Sequence, residues 1–268
     1  MRARWQPRIA FLEAKWLVPV VTLASLSGVE TRGRGERIAA SRRGRAMKKL
    51  LTLCVALALS WACGGSDHGI CSNVVGSGNL VTESRAVTDF AAVEVSAAAH
   101  LVVEQTGGES LSVTAEDNVL PLVRSEVRNG RLILGLEPNA GVTITREILF
   151  RLTVRDLAEV EASGATRVEM RGVDSAELTL RFSGASSVSA RGAVDRAILT
   201  LAGASHCEAP ELRTRVLTAT VSGASYALVR ASDFLEANVS GASVLEYLGD
   251  PRLGTSVTGG SLVRRVGP

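Results

Sequence analysis

The sequence predicts an all-β protein: a right-handed parallel β-helix-like solenoid with about 18–20 residues per turn, preceded by an antiparallel β meander. Three observations carry that prediction. A small corner motif, S-G-A-S or a close variant, begins at Ser163, Ser183, Ala202, Ser222, Ser240 and Thr258, at spacings of 20, 19, 20, 18 and 18 residues. Helical repeats need units of roughly 33 residues or more, so a period this short calls for strands. Apolar residues before each corner alternate with polar ones, as in Leu178, Leu180 and Phe182 or Leu235, Ala237 and Val239, which is the pattern of a half-buried strand. Upstream of the repeats, "TGGE" at Thr106 and "RNGR" at Arg128 lie between alternating runs and read as hairpin turns.

Taken from the start, the chain changes composition near residue 63. Residues 1–63 contain all three Trp, all three Lys and 12 basic residues against 3 acids, whereas residues 64–268 hold 18 Arg and 24 acids, a balance of −6. The formal charge of +3 therefore belongs to the front of the chain. The mildly acidic body lacks the footprint of a phosphate-binding protein, and no nucleic-acid partner is expected. With 46% apolar residues, that body can bury a core.

Residues 47–63, "MKKLLTLCVALALSWAC", have the layout of an export signal: two Lys, an apolar stretch from Leu50 to Trp61, then small residues. The stretch is too short to span a membrane comfortably. Its ending resembles a bacterial lipoprotein signal, which implies lipidation of Cys63 and attachment to a membrane through that lipid. Ser60 and Trp61 depart from the usual pattern, so ordinary cleavage nearby and an uncleaved anchor stand as alternatives. Gly64 after the cysteine, by resemblance to known lipoproteins, implies sorting to the outer membrane; periplasmic or secreted placement is the alternative. An export signal must lie near the start to be read, so Met47 is the expected initiator. Residues 1–46 then read as an upstream extension of the gene or as disordered, although an apolar stretch from Trp16 keeps an earlier signal in view.

Cys54 falls inside the signal, leaving Cys71 and Cys207, whose pairing the spacing does not decide. Dispersed His and the absence of any CxxC leave no expected metal site and no cofactor. Residues 64–75 read as a linker and 76–268 as one β-solenoid domain, irregular over 76–150 and regular over 151–268.

Within the regular part, the corner glycines Gly164, Gly184, Gly203, Gly223 and Gly241 supply φ > 0, and their small neighbours let the next turn stack directly above. Ser163, Ser183, Ser222 and Ser240 form one expected hydroxyl ladder. Thr166, Ser186, Ser205, Ser225, Ser243 and Ser261, three residues later, form another. Five residues after each corner start, Val168, Val188, Cys207, Ala227, Leu245 and Val263 read as a second, inward strand row. The turn ending at Leu201 is expected to slip by one residue, using Ile198, Leu199 and Leu201. "DFAAVEVSAAAHL" at Asp89 matches "DLAEVEASGATRV" at Asp156, placing one further turn 67 residues earlier, and "EDNVLP" at Glu116 reads as a connecting loop with one helical turn.

The segment from "GSGNLVTESRAVTDFAAVEVS" at Gly76 through "VRDLAEVEASGATRVEMRG" and the S-G-A-S turns resembles the bacterial auto-transporter adhesin head domains, also called GIN domains, over residues 76 to about 262. Ser96-Ala97-Ala98 departs from the glycines usual there, which implies a less tightly bent corner. The resemblance implies a β-helix-like fold on an exported envelope protein.

A non-catalytic binding scaffold for a glycan or an envelope partner is therefore the expected function. A polysaccharide-acting β-helix enzyme and a purely structural or self-associating protein are the alternatives. Glu169, Glu208 and Glu246 fall on alternate turns, a spacing that permits a carboxylate pair, but Ser189 and Leu228 between them add nothing catalytic, so no catalytic residue is assigned. Four residues after each corner start, Arg167, Ser187, His206 and Tyr226 share an outward row. Arg167, His206 and Tyr226 are the candidate ligand patch, because an exposed aromatic beside an imidazole suits a glycan. Cys207 reads as a buried hydrophobe. The final turn, with Arg264, Arg265 and Pro268, reads as a cap against further strand pairing.

Overall fold

A computed structural model describes residues 73–267, so Met47, the signal, Cys63 and Cys71 lie outside the described residues. In chain order the strands are β1 (Val74–Val75), β2 (Leu80–Arg85), β3 (Ala92–Ser96), β4 (Ala99–Gln105) and β5 (Ser110–Glu116). A 3-10 turn at Leu120–Leu122 leads to β6 (Val123–Arg128), β7 (Arg131–Leu136), β8 (Val142–Thr143), β9 (Ile148–Val154) and β10 (Glu159–Ser163). Four long strands follow: β11 (Arg167–Phe182), β12 (Ser187–Leu201), β13 (His206–Val221) and β14 (Tyr226–Val239). The last are β15 (Val244–Leu248), β16 (Arg252–Val257) and β17 (Leu262–Gly267). The protein is a parallel β-solenoid of about five turns with an antiparallel part.

Each of β11 to β14 bends within one continuous strand, where the sequence suggests two short ones. Shortening of the period is absorbed at that bend: pairing is offset by 20 residues at Met170↔Ala190 but by 19 at Val173↔Gly192. The expected slip at Ile198 therefore does not occur. Ala197, Leu199 and Leu201 point inward, and Ile198 faces out, 41% exposed.

The 67-residue match is a stacking relation: Val93 pairs with Val160 and His100 with Arg167, both in parallel. Beneath that early turn lies a later one, since β7 pairs with β3 (Val93↔Leu132) and β9 with β4 (Leu101↔Phe150). The turn formed first in the chain is thus sandwiched between two that follow it. Leu132, Leu134, Phe150 and Leu152 continue the buried column, at 0–2% exposure.

"RNGR" closes a hairpin between β6 and β7, with Asn129 and Gly130 both at positive φ, 52° and 73°, as the twist of a two-residue connection requires. "TGGE" does not. β4 and β5 lie on either side of β9, parallel to one and antiparallel to the other. One edge of β4 pairs with β11, and β9 takes the other because it extends the parallel stack, so β5 pairs beyond it. Strand pairing starts at Val74, inside the segment read as linker, where β1 joins β8.

At the corners, Gly184, Gly203, Gly223 and Gly241 sit at φ between 77° and 83°. A Cβ on Gly223 would lie 2.3 Å from the Gly203 carbonyl oxygen of the turn below. That close approach lets Ala204 and Ala224 donate backbone hydrogen bonds to Gly184 and Gly203, each 2.8 Å. The two hydroxyl columns differ in role. Thr166, Ser186, Ser205, Ser225 and Ser243 are buried. Ser186 Oγ donates to Ser183 O and Ser205 Oγ to Ala202 O (both 2.8 Å), and Ser225 Oγ donates to Ser222 O (2.9 Å). Ser163, Ser222 and Ser240 are only half-buried and Ser183 is exposed, and of their hydroxyls Ser222 Oγ reaches Leu201 O at 3.2 Å. The corner at Ala97 forms without positive φ.

On the final turn Arg264 pairs with Glu246 and Arg265 with Asp250, so both cap charges are spent on the preceding turn. Leu253, Val257 and Val266 stay 42–47% exposed there.

Candidate functional site

Parallel pairing converts a position in the repeat into a straight row across the turns. His100, Arg167, Ser187, His206, Tyr226, Val244 and Leu262 are successive partners and all lie on the outer face, since Leu101, Val168, Val188, Cys207, Ala227 and Leu245 beside them are buried. The row two residues on carries Glu169, Ser189, Glu208, Leu228, Glu246 and Arg264.

The rings of His206 and Tyr226 are stacked, with centroids 4.8 Å apart and planes 16° from parallel. Tyr226 OH donates to Glu246 Oε2 at 2.9 Å, and Arg264 Nε donates to Glu246 Oε1 at 2.8 Å. Arg264, and after it the tyrosine hydroxyl, hold the Glu246 carboxyl below the usual carboxylate range. Burial, and then the Glu246 partner, push the Tyr226 phenol up, so it remains a protonated donor. His206 Nε2 lies 3.1 Å from Glu208 Oε1. Tyr226 is flanked by His206 on one side and Val244 on the other, which leaves the His206 ring as the open end of the stack.

On that open side the next residue is Ser187, then Arg167, so a small side chain separates His206 from an arginine whose backbone lies two strands or roughly 10 Å away. Among the described residues Arg167 has no carboxylate partner. The candidate residues Arg167, His206 and Tyr226 thus share one row, with Arg167 two strands from the stacked pair.

Beside this notch a hollow of about 260 Å³ is lined by Glu169, Met170, Arg171, Ser189 and Arg191. Arg171 Nη2 donates to Glu169 at 3.0 Å, and His100 Nε2 lies 3.2 Å from Glu169 off the angle of a hydrogen bond. Burial raises the Glu169 carboxyl, but Arg171 and the His100 ring outweigh it and hold it below its ordinary value. Sequence reasoning missed Arg171 and Arg191. The signal was the pair of short residues Ser187 and Ser189 on one turn, flanked by long side chains on its neighbours, which makes a depression.

Cys207 is a free, buried thiol pushed up to about 12 by burial, so it is not a nucleophile. Among the described residues no cluster of three His, Cys, Asp or Glu could hold a metal ion.

The family described as "Putative auto-transporter adhesin, head GIN domain" matches residues 89–251. The fold is similar to the solved structure of a putative adhesin from Bacteroides fragilis, 19% identical, covering 72% of this chain and 100% of that one, with a TM-score of 0.59. A putative adhesin from Parabacteroides merdae is 18% identical, with 72% and 98% coverage and a TM-score of 0.50. No curated protein matches the chain.

Proposed function

The chain belongs to the putative auto-transporter adhesin, head GIN domain family, and from that premise we propose that it is a non-catalytic, exported envelope protein whose solenoid displays a glycan-binding face. The stacked His206–Tyr226 pair carries this reading. A rigid aromatic and imidazole stack, beside the notch at Ser187 and the unpaired Arg167, offers an apolar ring face with hydrogen-bonding groups at its rim, the combination that sugars use. An envelope protein with such a surface is the other partner that the same face would suit.

Two of the acids on this face, Glu246 and Glu169, fit binding better than hydrolysis. A glycosidase needs one carboxylic acid kept protonated, with its pKa raised. Glu246 and Glu169 are both held low, by Arg264 and Arg171 among others. Attachment to the outer membrane through a lipid on Cys63 completes the proposal, and mass spectrometry of the mature N-terminus tests it: a lipidated Cys63 is expected, and an intact peptide across Trp61–Gly65 would contradict it.

The binding face is tested by capturing uncharged envelope glycans and envelope proteins with the wild-type chain and with His206→Ala/Tyr226→Ala. Loss of capture by the double variant, with its unfolding midpoint unchanged, is expected. Unchanged capture would remove this face from the function, and turnover of any captured polysaccharide would overturn the non-catalytic reading.

A further inference from the structure

A groove of about 620 Å³ runs across the turns on the side where the strands bend, beyond Pro210 from the His206–Tyr226 stack. Its floor is made of small or apolar residues: Val194, Thr214 and Ala231 are buried, and a Cβ on Gly249 would lie 2.1 Å from Ala231 O. One wall is electrically closed, because Arg215 lies between Asp195 (3.7 Å) and Asp233 (3.5 Å). The other is not. There Asp174, Ala193, Arg213 and Arg230 are successive cross-strand neighbours.

Arg213 and Arg230 therefore stand side by side, about 4.8 Å apart at the backbone. Neither has a carboxylate partner among the described residues, whereas Arg171, Arg181, Arg191, Arg196 and Arg264 each face one. Arg230 is oriented by its Nε, which donates to Pro210 O at 2.9 Å. Like charges placed directly opposite one another destabilise a sheet, so two unneutralised arginines in a cleft are an arrangement that an anion would relieve. The nearest acid on their row, Asp174, is two strands or roughly 10 Å away, and its carboxylate makes no ion pair with a described residue.

From this geometry we infer a second binding site, Arg213, Arg230 and Asp174 in the bend groove, for an extended carboxylate-bearing glycan lying along the solenoid axis. The arginines take a uronate-type carboxylate and Asp174 accepts from sugar hydroxyls further along the chain. β12 and β13, at the middle of the groove, have strand partners on both sides, so no acidic peptide adds there as a strand. The row also offers an acceptor, Asp174, beyond the arginines, which the hydroxyl donors of a sugar chain meet and the side chains of an acidic peptide do not, and this favours the glycan.

The test is titration of the full chain with oligogalacturonate, hyaluronan fragments and oligosialic acid, with methyl-esterified oligogalacturonate and polyglutamate as comparators. At least one carboxylated glycan is expected to bind with a salt-dependent Kd. Arg213→Gln should weaken it about tenfold or more, Arg213→Lys less, and the esterified form should bind no better than that variant. His206→Ala/Tyr226→Ala should leave this binding unchanged, which separates the groove from the outer face. Absence of binding by every carboxylated glycan, equal binding by the ester or by Arg213→Gln, or equal Arg213-dependent binding of polyglutamate would overturn the inference.

Discussion

Gly223 and Gly107 have nearly the same backbone, φ 83° and 84°, but different surroundings. Around Gly107 there is open space, while a Cβ on Gly223 would meet the Gly203 carbonyl oxygen at 2.3 Å. Alanine at Gly107 carries only the left-handed conformational cost, about 1–2 kcal/mol. At Gly223 it must also push two turns apart, and we expect about 3 kcal/mol or more by urea unfolding. Equal losses at the two sites would show that conformation alone explains the corner glycines. Ser225→Ala removes the buried hydroxyl that donates to Ser222 O and accepts from Ser205 N, and is expected to cost about 1–3 kcal/mol.

At the scale of elements, the opening "GSGN" is held by "EDN" rather than by apolar packing, since β2 is almost wholly exposed. Glu116 Oε1 accepts from Gly78 N at 2.8 Å and Oε2 from Thr145 N at 3.0 Å, while Asn118 Oδ1 accepts from Ser77 N and its Nδ2 donates to Val75 O. A Cβ at Gly76 would lie 2.0 Å from Glu116 Oε2 and would displace the carboxylate from these bonds. The Thr145 hydroxyl foremost, then the Thr145 and Gly78 amides, hold the Glu116 carboxyl below its ordinary 4.5. A folded pKa below the unfolded one gives stability that is complete above about pH 4.5 and is lost as pH falls through the folded value. The protection of β1 and β2 against hydrogen exchange, taken relative to the intrinsic rate, should therefore fall on acidification through that range, and Glu116→Gln should lower it already at neutral pH and flatten its pH dependence. Protection that does not change with acidification in the wild type would contradict the clasp. Sequence reading took "EDNVLP" as a mere connection because the clasp joins residues about 40 apart, and no local pattern marks the partner.

For the whole molecule, periodicity made the stack legible: the inward rows and the 67-residue offset follow from side-chain alternation repeated at a fixed length. The order of stacking was not legible. That β7 and β9 would lie beneath β3 and β4, and that β9 would separate β4 from β5, depends on which free edge captures which strand, a choice between long-range pairings of similar local sequence. The candidate row was readable once inward positions were assigned, because parallel register carries Arg167, Ser187, His206 and Tyr226 into line. Its depth was not, since the hollow at Ser189 and the bend groove arise from small residues that leave space, and spaces have no motif. The account makes the corners architectural and the variable outer residues functional. It is tested most directly by measuring the unfolding midpoint and glycan capture together for Ser225→Ala and His206→Ala/Tyr226→Ala. The corner variant is expected to lose stability and keep capture of uncharged glycans, while the face variant keeps stability and loses that capture; a folded corner variant that fails to capture, or a face variant that captures uncharged glycans normally, would contradict it.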